Sequence, residues 1–408
     1  MFRKIPRFNI VIYIYTLIML LNSIITPSAY SALHSGHVGS YSSSTTFRLN
    51  PAYLLLFTML MVIIISRKVY INNIAYILVA IIVASTVLNV TIIHYYSYYL
   101  LDIVALLCVS NLAKEDSSVI RDKNQNFERL TNYILGLLVI GFVLLLIGHG
   151  RFGILPFEFS RSSRGEVTIW SLFYLPAILF SILFARFKKN YPNKKVVIIT
   201  MFVGIVVLST LSRVTLILFV VLFAVYWIER KSDSNKYILS VLVLIGAILM
   251  YSQIKEILTL GENEVSVQSI ERILNGRFAL WKYYWEAFIS HPIIGCGAAI
   301  SSSDLYVKIG AASEVGLLKN IAQYGMVYLI AIMYILIVSI KNFMIAIKNV
   351  DSLGIYDVFM MNIFVVAIAT LFQQHARILN MGDFIVWYAI FYFYEFRNGV
   401  IANRMEMN

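Results

Sequence analysis

The sequence predicts an all-α fold: a polytopic integral membrane protein of about twelve transmembrane helices, one domain over residues 1–408, with a large loop late in the chain on the outer face. Three observations carry that prediction. Of the 408 residues 60% are hydrophobic and only 13% charged, with a mean hydropathy of +0.80, whereas a soluble domain carries about 25% charged residues. Apolar runs recur along the chain with short polar or basic segments between them, each close to the ~20 residues a helix needs to cross hydrocarbon. The runs do not alternate with the period of a strand. The backbone groups they carry into a bilayer must therefore be paired within helices rather than around a barrel.

In chain order, the runs place helices near 8–26, 51–66, 70–92, 95–113, 131–149, 168–185, 196–211, 214–228, 237–254, 320–340, 356–373 and 382–396. The first follows Arg3, Lys4 and Arg7, as the core of a signal peptide would. Its length, the lack of a small-residue cleavage site and the spans after it read instead as a retained helix. With the N-terminus inside, 21 of the 33 basic residues fall on cytoplasmic segments, each of which holds at least two. That distribution meets the positive-inside bias and puts both termini in the cytoplasm. The net charge of +12 is thereby distributed along membrane faces and is no signature of nucleic-acid binding.

Three of the outer segments are long: loops 27–50 and 150–168, and the large loop 255–319. Eight of the twelve outer basic residues are arginine, namely Arg48, Arg151, Arg161, Arg164, Arg213, Arg272, Arg277 and Arg377, whereas lysine leads inside. Outer arginines work against the topological bias, and their planar guanidinium groups bind phosphate and carboxylate bidentately. Individually they can pair with Glu158, Glu166, Glu271 or Glu286 or with lipid headgroups; as a set they make an anion-binding outer face. Within the large loop, aromatic and charged residues alternate on an amphipathic helix from about Ile270 to Ser290, suited to the membrane interface. His291-Pro292 ends it, and Gly295 with Gly297 permits a sharp turn.

Several positions carry candidate chemistry. Arg213, in Leu208-Ser-Thr-Leu-Ser-Arg213-Val-Thr between two spans, either snorkels or ligates an anion, because an arginine at membrane depth costs about 2.5–3.5 kcal/mol on translocon scales. Glu314, in Ser313-Glu314-Val-Gly316, is a general base or a structural counter-ion near the arginines. His291 and His375 are the other proton acceptors, and Gln373-Gln374-His375-Ala-Arg377 forms a polar cluster at an outer helix end. Asp102 is an intramembrane acid, with pairing inside the bundle its expected role. Cys108 and Cys296 fall on opposite faces, so neither a disulfide nor a metal-ligand spacing is expected.

Gly276-Arg277 with Trp281, followed by His291-Pro-x-x-Gly295-x-Gly297, resembles the signature loop of the O-antigen ligase and polymerase superfamily of bacterial envelope proteins. Ser212-Arg213 resembles the Ser-Arg element that precedes that loop. The likeness is specific over roughly residues 205–330 and otherwise rests on span count. It implies a multi-pass protein of the bacterial inner membrane with a periplasmic active face. It also implies a metal-independent glycosyltransferase, without cofactor, that uses an undecaprenyl-pyrophosphate-linked glycan, in contact with membrane lipid and with a chain-length regulator protein as candidate partner. Ligases of the family typically show a His-Asn pair where this chain has Ser313-Glu314, so the resemblance points to the polymerase. Glu314 or His291 would then be the base. Arg213 and Arg277 would neutralise the departing pyrophosphate, with Arg272, Arg164, Arg161, Arg151, Arg48, His375 and Arg377 binding pyrophosphate or glycan. The alternatives are a ligase-like transferase and a polysaccharide transporter or flippase. A transporter would concentrate polar residues near the midplane and show internal repeats, whereas here Asp102 is the exception in largely apolar spans.

Overall fold

The computed structural model describes residues 5–25, 51–66, 69, 73–88, 96–118, 123–148, 175–189, 277–297, 316–351, 353–371 and 381–396. Among them every regular element longer than a turn is an α-helix and none is a strand. In order these are α1 (Arg7–Ile25), α2 (Pro51–Ser66), α3 (Asn73–Leu88), α4 (Tyr96–Ser118), α5 (Lys123–Gly148), α6 (Leu175–Lys188), α7 (Arg277–Ser290), α8 (Gly316–Lys348), α9 (Ile355–Leu371) and α10 (Met381–Glu395). Nine of the twelve expected apolar runs fall on these helices; those at 196–211, 214–228 and 237–254 lie outside the described residues.

Burial sorts the helices into an inner and an outer set. Every residue of α10 from Asp383 to Phe393 is buried, as befits a helix enclosed by α4, α8 and α9. Phe384 and Tyr388 of α10 pack on Phe8 of α1, which also meets Phe359 of α9. By contrast α3 buries one stripe, Ile74, Leu78, Ile82 and Ser85, and leaves Ile77, Val83 and Val87 exposed. Helix α8 does the same more extensively. Met326, Ile330, Met333, Ile337, Ile340, Met344 and Ile347 recur at three- and four-residue steps on an exposed face. That stripe runs about 30 Å at 1.5 Å per residue, the thickness of a bilayer's hydrocarbon core. In water a patch of this size would drive association; in lipid it is the solvated surface. Among the described residues, Leu317–Lys348 is the one helix long and apolar enough to cross a membrane.

One end of the bundle, the end that the basic-residue count assigns to the cytoplasm, is tied by charge. Arg7 forks onto Glu115 with Nε–Oε2 at 2.9 Å and Nη2–Oε1 at 2.6 Å, both side chains buried. The neighbouring Asp116 accepts from the Phe8 backbone N–H at 3.0 Å and from the Tyr388 hydroxyl, capping the start of α1 from another helix. Tyr392 donates to Asp357 at 2.8 Å, Asn9 to the Asn126 carbonyl, and Arg186 to Glu128 at 2.6 Å while lying over the Phe127 ring. Lys189 closes the set on the carbonyls of Val350 and Asp351. Its partial burial pushes the ammonium pKa down, against the pull of Asp351 and Asp357.

This knot revises two expectations. Helix α4 runs to Ser118 rather than ending near 113, because Glu115 and Asp116 are buried partners and not solvated flanks, and α5 starts at Lys123 rather than 131, with Asn126 and Phe127 buried and Glu128 taken up by Arg186. The inner basic residues Arg7 and Arg186 are structural, too, beyond satisfying topology.

Candidate functional site

At the other end of the bundle the amphipathic segment is described from Arg277 as the 14-residue α7, and the expected start near Ile270 lies outside the described residues. Tyr284 and Phe288 bury one face against Ala322, with Leu318 and Ile321 packed around them. Trp281, Trp285 and Ile289, four residues apart, stay exposed on the other. Lys282 and Glu286 sit 3.9 Å apart in full solvent, an exposed pair of small energetic weight.

The turn after α7 is built from the motif. Ser290 closes the helix, as the His-Pro pair predicts, and the Ala287 carbonyl then accepts from Ser290 Oγ at 2.7 Å and Cys296 Sγ at 3.1 Å. The His291 carbonyl takes the Gly295 N–H at 2.9 Å. His291 Nδ1 lies 2.9 Å from Ser290 Oγ and 3.2 Å from Cys296 Sγ. Burial holds the Cys296 thiol pKa above its usual range, opposed by the Ser290 hydrogen bond.

This turn is seated in a break in α8. Gly325 has φ 76° and ψ −168° in the middle of an otherwise helical run. In a continuous helix the Met326 N–H would donate to the Ala322 carbonyl. Here it donates to the Pro292 carbonyl at 2.7 Å, and Ala322 accepts instead from the Cys296 N–H at 2.9 Å. One ladder bond is thus exchanged for two bonds to the turn, leaving no cost of orphaned backbone groups at those atoms. Ser85 of α3 completes the joint: its hydroxyl reaches the Ile294 carbonyl at 2.8 Å and the Gln323 carbonyl at 2.9 Å, sharing one proton between them. Contact is backbone to backbone. A Cβ on Gly295 (φ 77°) would fall on the Gln323 carbonyl and Tyr324 N, and one on Gly325 would fall on the Ile293 carbonyl and Gly295 N. Both sites require glycine for conformation and for space.

These contacts lay α7 along the first segment of α8, with both helices running toward the joint. Arg277 therefore begins α7 at the end facing the start of α8, and His291 follows its other end. The two are about 20 Å apart along the axis at 1.5 Å per residue, so the structure does not bring them to one reacting group. Glu314, Arg213, Arg272, Arg164, Arg161, Arg151, Arg48, His375 and Arg377 lie outside the described residues; Glu314 stands two positions before Gly316, the first residue of α8.

The first segment of α8 also carries polar residues that sequence reasoning missed. Lys319, Asn320 and Gln323 are buried, Asn320 donates to the Tyr328 hydroxyl at 3.2 Å, and Tyr328 lies within electrostatic reach of the buried Asp102. Their spacing, four from 319 to 323 and three from 320 to 323, was the available signal. Ser85 offered none, being one serine in an apolar run. Among the described residues no group of three His, Cys, Asp or Glu side chains is placed to hold a metal ion.

The large loop and the three expected spans before it are the part of the chain that comparison with known families matches. Residues 196–321 match the family model described as O-antigen ligase. The match supports membership of the O-antigen ligase and polymerase superfamily. It spans about a third of the chain and contains α7, the motif turn and the start of α8. It supports, in general terms, ligase- or polymerase-type chemistry on lipid-linked glycans by a membrane protein of polysaccharide biosynthesis. Comparison with curated proteins gives no match, and neither does comparison with solved structures.

Proposed function

We propose that this superfamily protein is the polymerase: it joins undecaprenyl-pyrophosphate-linked repeat units into O-antigen or a related surface polysaccharide at the periplasmic face of the bacterial inner membrane. The observation that supports the proposal most is the packing of α7 along the first segment of α8, with its Arg277 end toward the start of α8, which follows Glu314 by two positions in the sequence. In this reading Arg277 and Glu314 are the cation and the carboxylate that the transfer needs.

The chemistry balances without nucleotide or metal. Glu314 takes the proton of the acceptor sugar hydroxyl, and the hydroxyl oxygen forms its bond to the anomeric carbon of the donor chain. The bond from that carbon to the pyrophosphate oxygen breaks, and undecaprenyl pyrophosphate leaves with the electron pair. Arg277 and Arg213 stabilise the charge growing on that oxygen. The remaining outer arginines, with His375, steer anionic donor and acceptor. Because Arg277 and His291 sit at opposite ends of α7, His291 is better suited to the turn than to the base. Twelve spans with both termini inside fit the same reading. It is supported by the exposed stripe on α8 and by the gathering at one end of the starts of α1 and α5, the ends of α4, α6 and α10, and the α8–α9 turn. A chain-length regulator is the expected protein partner.

The test is complementation of a strain lacking the protein, read as the polysaccharide ladder on a gel. Arg277→Ala and Glu314→Gln should leave lipid A core carrying a single repeat unit, a loss of at least ~10² in polymer, since one transition-state donor is worth about that factor. His291→Gln should keep the ladder. Full-length polymer from Arg277→Ala would refute the assignment.

A further inference from the structure

The joint between the turn and α8 has a part that neither the motif nor the family match includes. Ser85 belongs to α3, more than a hundred residues before residues 196–321, yet its hydroxyl holds both sides of the joint, the Ile294 carbonyl of the turn and the Gln323 carbonyl of the broken helix. It is 1% exposed. Beyond the two backbone hydrogen bonds between turn and helix, Ser85 ties the joint to α3.

We propose that Ser85 is a positioning residue, which with Gly295 and Gly325 sets the angle of α7 and so the place of its Arg277 end. The proposal rests on the polymerase reading above. Leverage gives it consequence. A swing of ~10° about the His291 turn moves the far end of this 14-residue helix by roughly 3–4 Å at 1.5 Å rise per residue. A misplacement of ~1 Å can cost about 10²-fold in rate.

The molecule carries its own reporter of the joint. Cys296 is half-buried within it, its thiol donating to the Ala287 carbonyl and its N–H to Ala322. Burial also keeps the thiol protonated above its ordinary range, which slows alkylation while the joint is closed.

The experiment uses the full chain with Cys108→Ala, leaving Cys296 as the sole thiol, in spheroplasts exposed to a membrane-impermeant maleimide. Ser85→Thr and Ser85→Val have the same shape and differ in the hydroxyl, so their comparison isolates the hydrogen bond. Expected is at least five-fold faster labelling of Ser85→Val than of Ser85→Thr, with the polysaccharide ladder shortened or lost in the valine variant and restored by threonine. Equal labelling of the two would overturn the proposal, as would faster labelling with a full ladder. Gly325→Ala should move both readouts further the same way. If deleting the protein leaves the ladder unchanged, the polymerase reading fails, while the labelling ratio still reports whether Ser85 holds the joint.

Discussion

The two ends of the bundle are held by different forces. At the inner end, side chains do the tying: Arg7 on Glu115, Asp116 between Phe8 and Tyr388, Arg186 on Glu128, all buried or nearly so. At the outer end the backbone does it, through Met326 to Pro292, Cys296 to Ala322 and the mutual contact of Gly295 and Gly325, beside residues that stay in solvent such as Trp285 and Ile293. The contrast follows from what each end must do. A sealed end can bury charge provided each partner is satisfied. On the proposed function the outer end takes the lipid-linked substrate, and close backbone packing there fixes geometry without drawing on charged side chains.

The largest expected effect comes from unpairing the inner end. Glu115→Leu strands the buried Arg7 and should cost about 3–5 kcal/mol, seen as a fall in the thermal unfolding midpoint of the detergent-solubilised protein. Arg7→Met added to it should recover part of that loss, since the stranded guanidinium is gone while buried Asp116 loses its neighbouring positive charge. Next comes the outer end. Gly325→Ala forces a side chain into positive φ with extended ψ, a region essentially reserved for glycine, at about 1–3 kcal/mol, and into the Ile293 carbonyl besides. Its expected mark is loss of polymer at a stability cost smaller than that of Glu115→Leu, which would separate a geometric fault from a stabilising one. Gly136→Ala is the control: its Cβ would meet nothing within 4 Å, and helix propensity predicts a gain of up to about 1 kcal/mol with the ladder unchanged. Smallest is the exposed pair on α7, where Lys282→Ala or Glu286→Ala should shift stability by less than about 0.5 kcal/mol. A large loss there would show that this face is engaged and not merely solvated.

Much of this was legible in the sequence, for reasons that differ by region. Apolar run length located nine helices because the bilayer imposes length and composition together. The end of α7 was legible from His291-Pro292, and the turn from Gly295 and Gly297, since proline and glycine act on local backbone. The continuation of α4 through Lys114-Glu115-Asp116 was not, because charged residues read as a solvated flank until Arg7 and Tyr388 are seen against them. Gly325 was visible as a glycine within a span, but its partner Gly295 is thirty positions away and the exchange of hydrogen bonds between them leaves no local pattern. Ser85 was the least legible of all, one hydroxyl whose meaning depends on two distant carbonyls. Of the site residues, Arg277 and His291 were each named from the motif, yet one dimension stayed hidden: that they occupy opposite ends of the same helix.

The most direct measurement is polymerisation by the purified protein in proteoliposomes, supplied with undecaprenyl-pyrophosphate-linked repeat unit and no nucleotide. The account predicts carrier-linked products of two and more repeats, with Glu314→Gln and Arg277→Ala giving none. Repeat units that remain single until lipid A core is added, and are then transferred to it, would contradict the account and make the protein a ligase.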